Sequence, residues 1–244
     1  MEAISPLFHS CIYQNLIQSL LLRRQGRITL ADTARSAMIA WGPSIFIGGE
    51  FTDAFGDAVI SAVGNSDTPR FLNYPDDTWR SFLKHTYSDR LTDRYHHLYK
   101  AAAADCTACY VDDPCIVPVT RELIAQHMPA AACLTDELYS YTDMEDFYRN
   151  GFGLALLIDG HISGYCLSEY SINNSHGVNI WVDEPYRRSG YAGKMVHAFL
   201  RHCQKQGQDA YWVCNADNIP SNKTAVSSGF TLKSTRHYFV LECG

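Results

Sequence analysis

A change of hydrophobic period near residue 190 constrains the fold of this 244-residue chain more than any other feature. Before it, residues 178–183 (VNIWVD) alternate apolar and polar side chains, which is the period of a half-buried β-strand. After it, apolar residues recur at helical spacing, and Gly207 stands where the helix should end. The helical stripe consists of Ala192, Met195, Val196, Phe199, Leu200 and Cys203. The sequence therefore predicts a strand, a tight turn and an amphipathic helix in immediate succession.

The predicted turn combines two arginines with two glycines. Arg187 and Arg188 precede Gly190, and Gly193 and Lys194 follow it in the first helical turn. The start of a helix has unpaired N–H groups and a partial positive charge, and glycines let an anion approach them closely. We interpret this segment as a pyrophosphate site. The alternative is a solvated basic turn that binds nothing.

Composition excludes several other classes of protein. The formal net charge is −6, from 26 acidic and 20 basic residues spread along the chain, so the basic surface typical of nucleic-acid binding is missing. The amino-terminal residues lack a basic n-region and a continuous apolar run, which predicts an amphipathic helix, with no signal peptide and no membrane span. Nine cysteines without a regular framework favour reduced thiols and a cytoplasmic location.

A metal site is the alternative interpretation of one cysteine-rich segment. Cys106 and Cys109 form a CxxC pair, with Cys115 beyond it and the dipeptide 96–97 (HH) before it. A structural zinc site normally closes with four ligands, commonly two such pairs, and the sequence has no second CxxC. We therefore predict no metal and interpret these cysteines as ordinary buried thiols on a strand.

We interpret residues 1–105 as an α/β region of unknown role. A predicted boundary near residues 101–114 separates this region from residues 106–244. Within this first region, Thr29 and Asp32 form a capping box that predicts a helix start. Two further segments predict a buried strand and a helix, namely 44–49 (SIFIGG) and 75–87 (PDDTWRSFLKHTY). The region contains no phosphate-binding motif, so we expect it to form a substrate wall, a homodimer surface or a scaffold.

The second region contains clearer signals. Thr120 is placed to cap one helix, and Thr142 with Glu145 forms a capping box for another that stops at Gly151. The dipeptide 159–160 (DG) lies between two apolar runs, which predicts a β-hairpin with a tight turn.

Several ordered motifs of this second region resemble the GNAT superfamily of acetyl-CoA-dependent N-acetyltransferases. Residues 187–192 (RRSGYA) match its (Q/R)xxGx(G/A) loop, and residues 218–230 (NIPSNKTAVSSGF) resemble its closing element, NxxSxxxAxxxGF. The order hairpin, strand, loop, helix, strand and closing helix spans about residues 115–244. The strand at residues 212–214 (WVC), the helix that begins with Asn-x-x-Ser and the long amino-terminal half most resemble the branch that contains the zwittermicin A resistance acetyltransferase.

The resemblance implies a GNAT fold, which is α/β with a mixed, mostly antiparallel twisted sheet flanked by helices. It also implies that acetyl-CoA is the cosubstrate and that the strand before the loop splays from its neighbour. The residues expected to hold acetyl-CoA are Trp181, Val182, Arg187, Arg188, Ser189, Gly190, Tyr191, Ala192, Gly193, Asn218 and Ser221.

The catalytic residues are less determined because this chain departs from the common pattern. The usual proton-donating tyrosine precedes the Gly-Phe pair by four residues, and this chain has Ala225 there. We predict Tyr238 as the replacement acid, with Ser221 as a weaker candidate because an alkanol is a poor acid and water as the alternative, and Glu169 as the general base. Asp183 and Glu184 compete for the role of base.

The resulting hypothesis is an N-acetyltransferase that acts on a primary amine of a small molecule, for example an antibiotic. The alternative is a degenerate GNAT module that binds acyl-CoA or a protein partner without turnover. The missing tyrosine at Ala225 and the amide of Asn179, where the branch often has glutamate, keep that alternative open.

Overall fold

A computed structural model of the chain describes residues 4–9, 12–30, 35–64, 67–103, 112–127 and 131–243. The chain forms two compact units, unit 1 (Met1–His96 with Thr235–Gly244) and unit 2 (His97–Ser234). Each contains a mixed, mostly antiparallel sheet flanked by helices, as predicted. Over the described ranges, no helix has the length and apolar character needed to cross a membrane.

The α-helices are α1 (Gln14–Arg23), α2 (Asp53–Val63), α3 (Asp77–Tyr87), α4 (Arg121–His127), α5 (Ala132–Thr135), α6 (Met144–Asn150), α7 (Tyr191–Gln206) and α8 (Ile219–Ser227). The strands are β1 (Arg27–Leu30), β2 (Ser36–Trp41), β3 (Ser44–Gly49), β4 (Arg70–Asn73), β5 (Leu91–Ala101), β6 (Ile116–Pro118), β7 (Gly153–Ile158), β8 (His161–Ile172), β9 (Ser175–Val182), β10 (Asp209–Asn215) and β11 (Thr231–Leu241). Short 3₁₀ turns lie at Ser5–Phe8, Ser88–Arg90, Asp136–Leu138 and Glu184–Tyr186.

Unit 1 has the strand order β1-β2-β3-β4, followed by the carboxyl-terminal part of β11 and the amino-terminal part of β5. β2 and β3 are antiparallel, whereas β3 and β4 are parallel and connected through α2. The helix α3 then leads from β4 to β5. Its core contains the fully buried side chains of Val59, Trp79 and Leu83, which pack with Leu72 and Phe239 of the sheet.

Unit 2 has the strand order β5-β10-β9-β8-β7-β6, with β5 represented by its carboxyl-terminal part. β7, β8 and β9 are antiparallel neighbours, whereas β9 and β10 are parallel and connected through α7. The stripe predicted for α7 is buried from Met195 to Cys203, with Met195 and Phe199 packed against Cys166 and Val178 of the sheet, whereas Ala192 is half-buried. The helix ends at Gly207, which adopts the left-handed conformation as predicted.

Two of the predicted helix starts are wrong. Thr29 lies in β1, opposite Met38 of β2, because strand pairing overrides the local capping signal. In the second case the start is displaced by one residue, since Asp143 caps α6 by accepting a hydrogen bond from the Asp146 N–H group at 2.8 Å.

The other local predictions are confirmed. The SIFIGG segment forms β3, and the PDDTWRSFLKHTY segment contains α3, capped by Asp76. Thr120 caps α4 by accepting from the Leu123 N–H group at 3.2 Å. Asp159 and Gly160 both have positive φ, as a tight hairpin turn between β7 and β8 requires.

Candidate active site

The first feature of the candidate site is the point where β9 and β10 stop pairing. Their parallel register covers Asp209–Tyr211 against Ser175–Gly177, and β9 then continues to Val182 beyond the last pair. On its other edge β9 stays paired with β8, where Gly164 lies opposite Val182. The divergence leaves one edge of β9 able to pair with an extended ligand.

The chain leaves β9 through a turn that its own side chains stabilise. The Asp183 carboxylate accepts from the Glu184 N–H group at 2.8 Å, which begins the short 3₁₀ turn. Arg187 Nε donates to the Val182 carbonyl oxygen at 2.9 Å and ties the loop back to the strand. Both rival candidates for the base, Asp183 and Glu184, therefore belong to this turn.

The start of α7 is open to an anion. Gly190 is the N-cap with φ +82°, and its position offers no side-chain acceptor to the first-turn N–H groups. A Cβ built on Gly190 or on Gly193 would meet no atom of the described residues within 4 Å. Tyr191 and Ala192, in the same turn, are half-buried. Uncapped amide groups, an open approach and a helix dipole are what a phosphate requires, so the segment fits the predicted ligand.

The basic side chains around this turn are not equally available to a ligand. Arg188 and Ser189 are exposed, and Arg188 has a positive φ of 64°. Lys194 Nζ lies 2.8 Å from Asp113 Oδ2, and this ammonium group lowers the pKa of the Asp113 carboxyl. The lysine charge is thus partly neutralised, and Arg188 supplies an exposed cationic side chain.

The predicted pantetheine residues lie at the start of α8. Asn218 is the N-cap, and its Oδ1 accepts from the Ser221 N–H group at 3.2 Å. Ser221 Oγ accepts from Trp212 Nε1 of β10 at 3.0 Å. Both residues therefore have structural roles that fix α8 against β10, with Asn218 exposed and Ser221 half-buried.

One face of the β8–β9 pair carries the polar side chain of Glu169 together with aromatic rings that belong to a second core cluster. Because side chains alternate along a strand, Tyr165 and Glu169 of β8 share this face with Trp181 of β9. The rings of Tyr165 and Trp181 lie opposite each other and stack at a centroid distance of 5.7 Å. The opposite face is apolar and packs on α7.

The predicted base, Glu169, lies at the vertex where β9 and β10 diverge. It stands opposite Gly177, the last residue of β9 to pair with β10. A Cβ on Gly177 would come within 2.9 Å of Glu169 Cγ and of Tyr211 Cζ. The glycine thus makes room for the glutamate side chain.

A second carboxylate, which the sequence analysis missed, lies beside Glu169. Asn179 Nδ2 donates to Glu137 Oε2 at 3.0 Å, and Asn179 follows Gly177 on the same face of β9. Burial and the neighbouring Glu137 raise the pKa of Glu169 to about 8. Burial and both carboxylates also raise the pKa of Tyr139 to about 12.

The predicted acid, Tyr238, belongs to unit 1. Its ring is buried and stacks on His96 at a centroid distance of 3.9 Å with nearly parallel planes. The Phe71 ring meets it edge-on at 6.2 Å. These contacts give Tyr238 a packing role, and its catalytic role stays a prediction.

The cysteines of the zinc alternative are described only in part, and Cys115 is half-buried in a turn just before β6, so the prediction that it lies buried on a strand is wrong. Cys106 and Cys109 lie outside the described residues, and the Cys115 thiol is in no disulfide. His97 is hydrogen-bonded to Asn222. In the part of the chain that the structure describes, no three His, Cys, Asp or Glu side chains are grouped to hold a metal ion.

Comparison with known protein families shows the family to which the chain belongs. The sequence model of the GNAT acetyltransferase family matches residues 5–239, which is nearly the whole chain. The chain belongs to the GNAT acetyltransferase family. The match includes both units, so the family pattern is wider than the region from residue 115 that carried the resemblance.

Individual relatives of this GNAT protein are distant. It is 25% identical over 170 residues to the uncharacterized N-acetyltransferase YdfB of Bacillus subtilis, covering 69% of this chain and 64% of that protein. A GCN5-related N-acetyltransferase-like protein of Streptococcus suis has a TM-score of 0.70 at 18% identity, covering 98% of both chains. A GCN5-related N-acetyltransferase of Sphaerobacter thermophilus has a TM-score of 0.64 at 10% identity, covering 99% and 92%. These two structures establish the fold alone.

Proposed function

We propose that this protein transfers the acetyl group of acetyl-CoA to a primary amine of a small molecule in the cytoplasm. The observation that carries the proposal is the uncapped start of α7 directly after the diverging end of β9. When bound, acetyl-CoA supplies an activated thioester. The family assignment supports this donor, and the acceptor is inferred from the Glu169, Glu137 and Asn179 side chains beside the diverging strands.

The residues proposed to hold the donor act through backbone and charge. The N–H groups at Gly190–Gly193 would face the pyrophosphate. The exposed side chain of Arg188 would add positive charge, and Arg187 would hold the loop to Val182. The unpaired edge of β9 at Trp181 would take backbone hydrogen bonds from the pantetheine arm. Asn218 and Ser221 would lie along that arm.

Glu169 is proposed as the general base. An amine must lose its proton before it attacks a thioester, and a base works best when its pKa is near the working pH. The raised pKa of Glu169, about 8, meets this condition. Its place at the vertex of the two strands supports the same role.

An acetyl-CoA-dependent thiol-release assay against a panel of primary amines tests this function, with calorimetry of acetyl-CoA binding alongside. Release with at least one amine is expected. Binding without release would favour the degenerate, non-catalytic module, and a failure to bind would contradict both hypotheses. A panel that includes amine-bearing antibiotics also tests the self-protection role that the branch resemblance suggests.

A further inference from the structure

A polar network in unit 2 joins β5, β10 and α8 and has no role in the site described so far. Asn222 of α8 lies at its centre, where its Oδ1 atom is 2.6 Å from the Tyr99 hydroxyl and 2.8 Å from His97 Nδ1. The Cys214 sulfur of β10 lies 3.5 Å from the same oxygen. A hydroxyl, an imidazole and a thiol thus converge on one amide.

The orientation of the amide assigns the protons. Asn222 Nδ2 donates to the carbonyl oxygens of Asn215 and Asn218 at 2.9 and 2.8 Å, so Oδ1 is the acceptor. Tyr99 and the His97 Nδ1 atom must therefore both be donors. In the neutral imidazole this makes Nδ1 the nitrogen that carries the hydrogen and Nε2 an acceptor.

The network borders the position of the missing tyrosine. Ala225 lies three residues after Asn222, on the same face of α8. It is fully buried, and its core cluster also contains Tyr99. Ala225 contributes only a methyl group to this core, and β5 contributes the aromatic ring of Tyr99.

We propose that Tyr99 supplies from β5 the phenol that this chain lacks at Ala225, and that it donates its proton to the sulfur of the departing coenzyme A. His97 is the positioning residue, since it links Tyr99 to solvent. This inference rests on the proposed function. Its placement follows from the Cys214 thiol of the network, which is also hydrogen-bonded to the side chain of Ser221, the residue proposed to lie along the pantetheine arm.

The same residues account for each proton that moves in this step. The sulfur takes the electron pair of the broken carbon–sulfur bond and the Tyr99 proton. The phenolate is then stabilised by the His97 Nδ1–H group, 3.3 Å from its oxygen, until a solvent proton restores the phenol. Glu169 holds the proton lost by the amine and releases it to solvent. Burial raises the pKa of Tyr99, which keeps the hydroxyl protonated and able to donate at neutral pH.

The test uses the full chain with coenzyme A and follows the ultraviolet absorbance of the bound thiolate against pH. If Tyr99 donates to the sulfur, Tyr99→Phe should raise the pKa of the bound thiol by about one unit, a tenfold loss of thiolate at a fixed lower pH. The kcat should fall about 10²–10⁴-fold. Tyr148→Phe is the matched control, since Tyr148 lies on α6 outside the network, where its ring packs against Arg121 of α4, and the change should alter neither quantity.

An unchanged thiol pKa in a folded Tyr99→Phe protein that binds coenzyme A would overturn this inference and leave the proposed function standing. A loss of bound thiolate in Tyr238→Phe but not in Tyr99→Phe would also overturn this inference. If Tyr99→Phe does not fold, a ring-fluorinated tyrosine at position 99 keeps the shape and acidifies the phenol, and the bound thiol pKa should fall. No coenzyme A binding by the unmodified chain would overturn the proposed function as well.

Discussion

The side chain of Glu169 crosses the backbone of Gly177 so closely that a Cβ on the glycine would lie 2.9 Å from Glu169 Cγ. The same Cβ would also lie 2.9 Å from the Glu169 carbonyl oxygen and from the Tyr211 ring. The position of the proposed base therefore requires glycine, which has no side chain, at residue 177 of the neighbouring strand.

Gly177→Ala should destabilise the protein and displace Glu169. Overpacking a tight site typically costs about 1–3 kcal/mol, which urea unfolding would measure. Gly193→Ala is the matched control, because it lies in α7 with open space around it. Alanine there should stabilise the ligand-free protein by about 0.5–1 kcal/mol. Equal effects of the two substitutions would contradict the packing account of Gly177.

Gly190→Asp should weaken acetyl-CoA binding by at least about tenfold, or 1.4 kcal/mol, because it places a carboxylate where phosphate must approach. Gly207→Asp is the control at the other end of the same helix. Gly207 also has a positive φ and open space, so the backbone strain is similar without contact to the ligand. Calorimetry showing equal affinities for the two folded variants would exclude the α7 start as the phosphate site.

The pH dependence of stability should report the Glu169 pKa. Burial and Glu137 raise this pKa from the usual 4.5 to about 8. Between those values the native state holds a proton that the unfolded chain releases, so this group's contribution to stability falls as pH rises and levels off above about 8. The slope approaches about 1.4 kcal/mol per pH unit for one group. Glu169→Gln, which stays neutral, should remove that slope, and an identical slope in both proteins would refute the assignment.

Glu137→Gln should shift the pH–rate profile. A base must be ionised, so kcat/KM is expected to rise with pH and to level off near 8 in the unmodified protein. Removing the Glu137 charge lowers the pKa of Glu169, and the rising limb should move to lower pH. Glu122→Gln, an exposed glutamate on α4, is the control and should leave the limb unchanged. A limb that stays in place in Glu137→Gln would remove Glu137 from the mechanism.

Local signals in the sequence predicted the elements that build the donor site. The stripe from Met195 to Cys203 and the glycines at positions 190 and 207 fix α7 because helix periodicity and left-handed caps are local properties. The prediction failed at Thr29, where a strand partner several residues away decided the structure.

The polar residues brought together by the fold were beyond sequence reasoning. Glu137 lies in a three-residue 3₁₀ turn that has no periodic pattern, yet it reaches Asn179, 42 positions later. Tyr99 and Asn222 are 123 positions apart, and either one alone reads as an ordinary residue of its element. Their meeting follows from the strand order, which a single sequence does not specify.

The order of elements from β2 to β5 is repeated from β8 to β11. Each set consists of an antiparallel strand pair, a helix, a parallel strand, a second helix and an eleven-residue strand. The first helices of the two sets begin differently. Thr52 caps α2 by accepting from the Phe55 N–H group and Asp53 adds a negative charge, whereas the start of α7 has no side-chain cap. Calorimetry should therefore find one molecule of acetyl-CoA per chain, and a ratio of two would show that the start of α2 also binds the ligand.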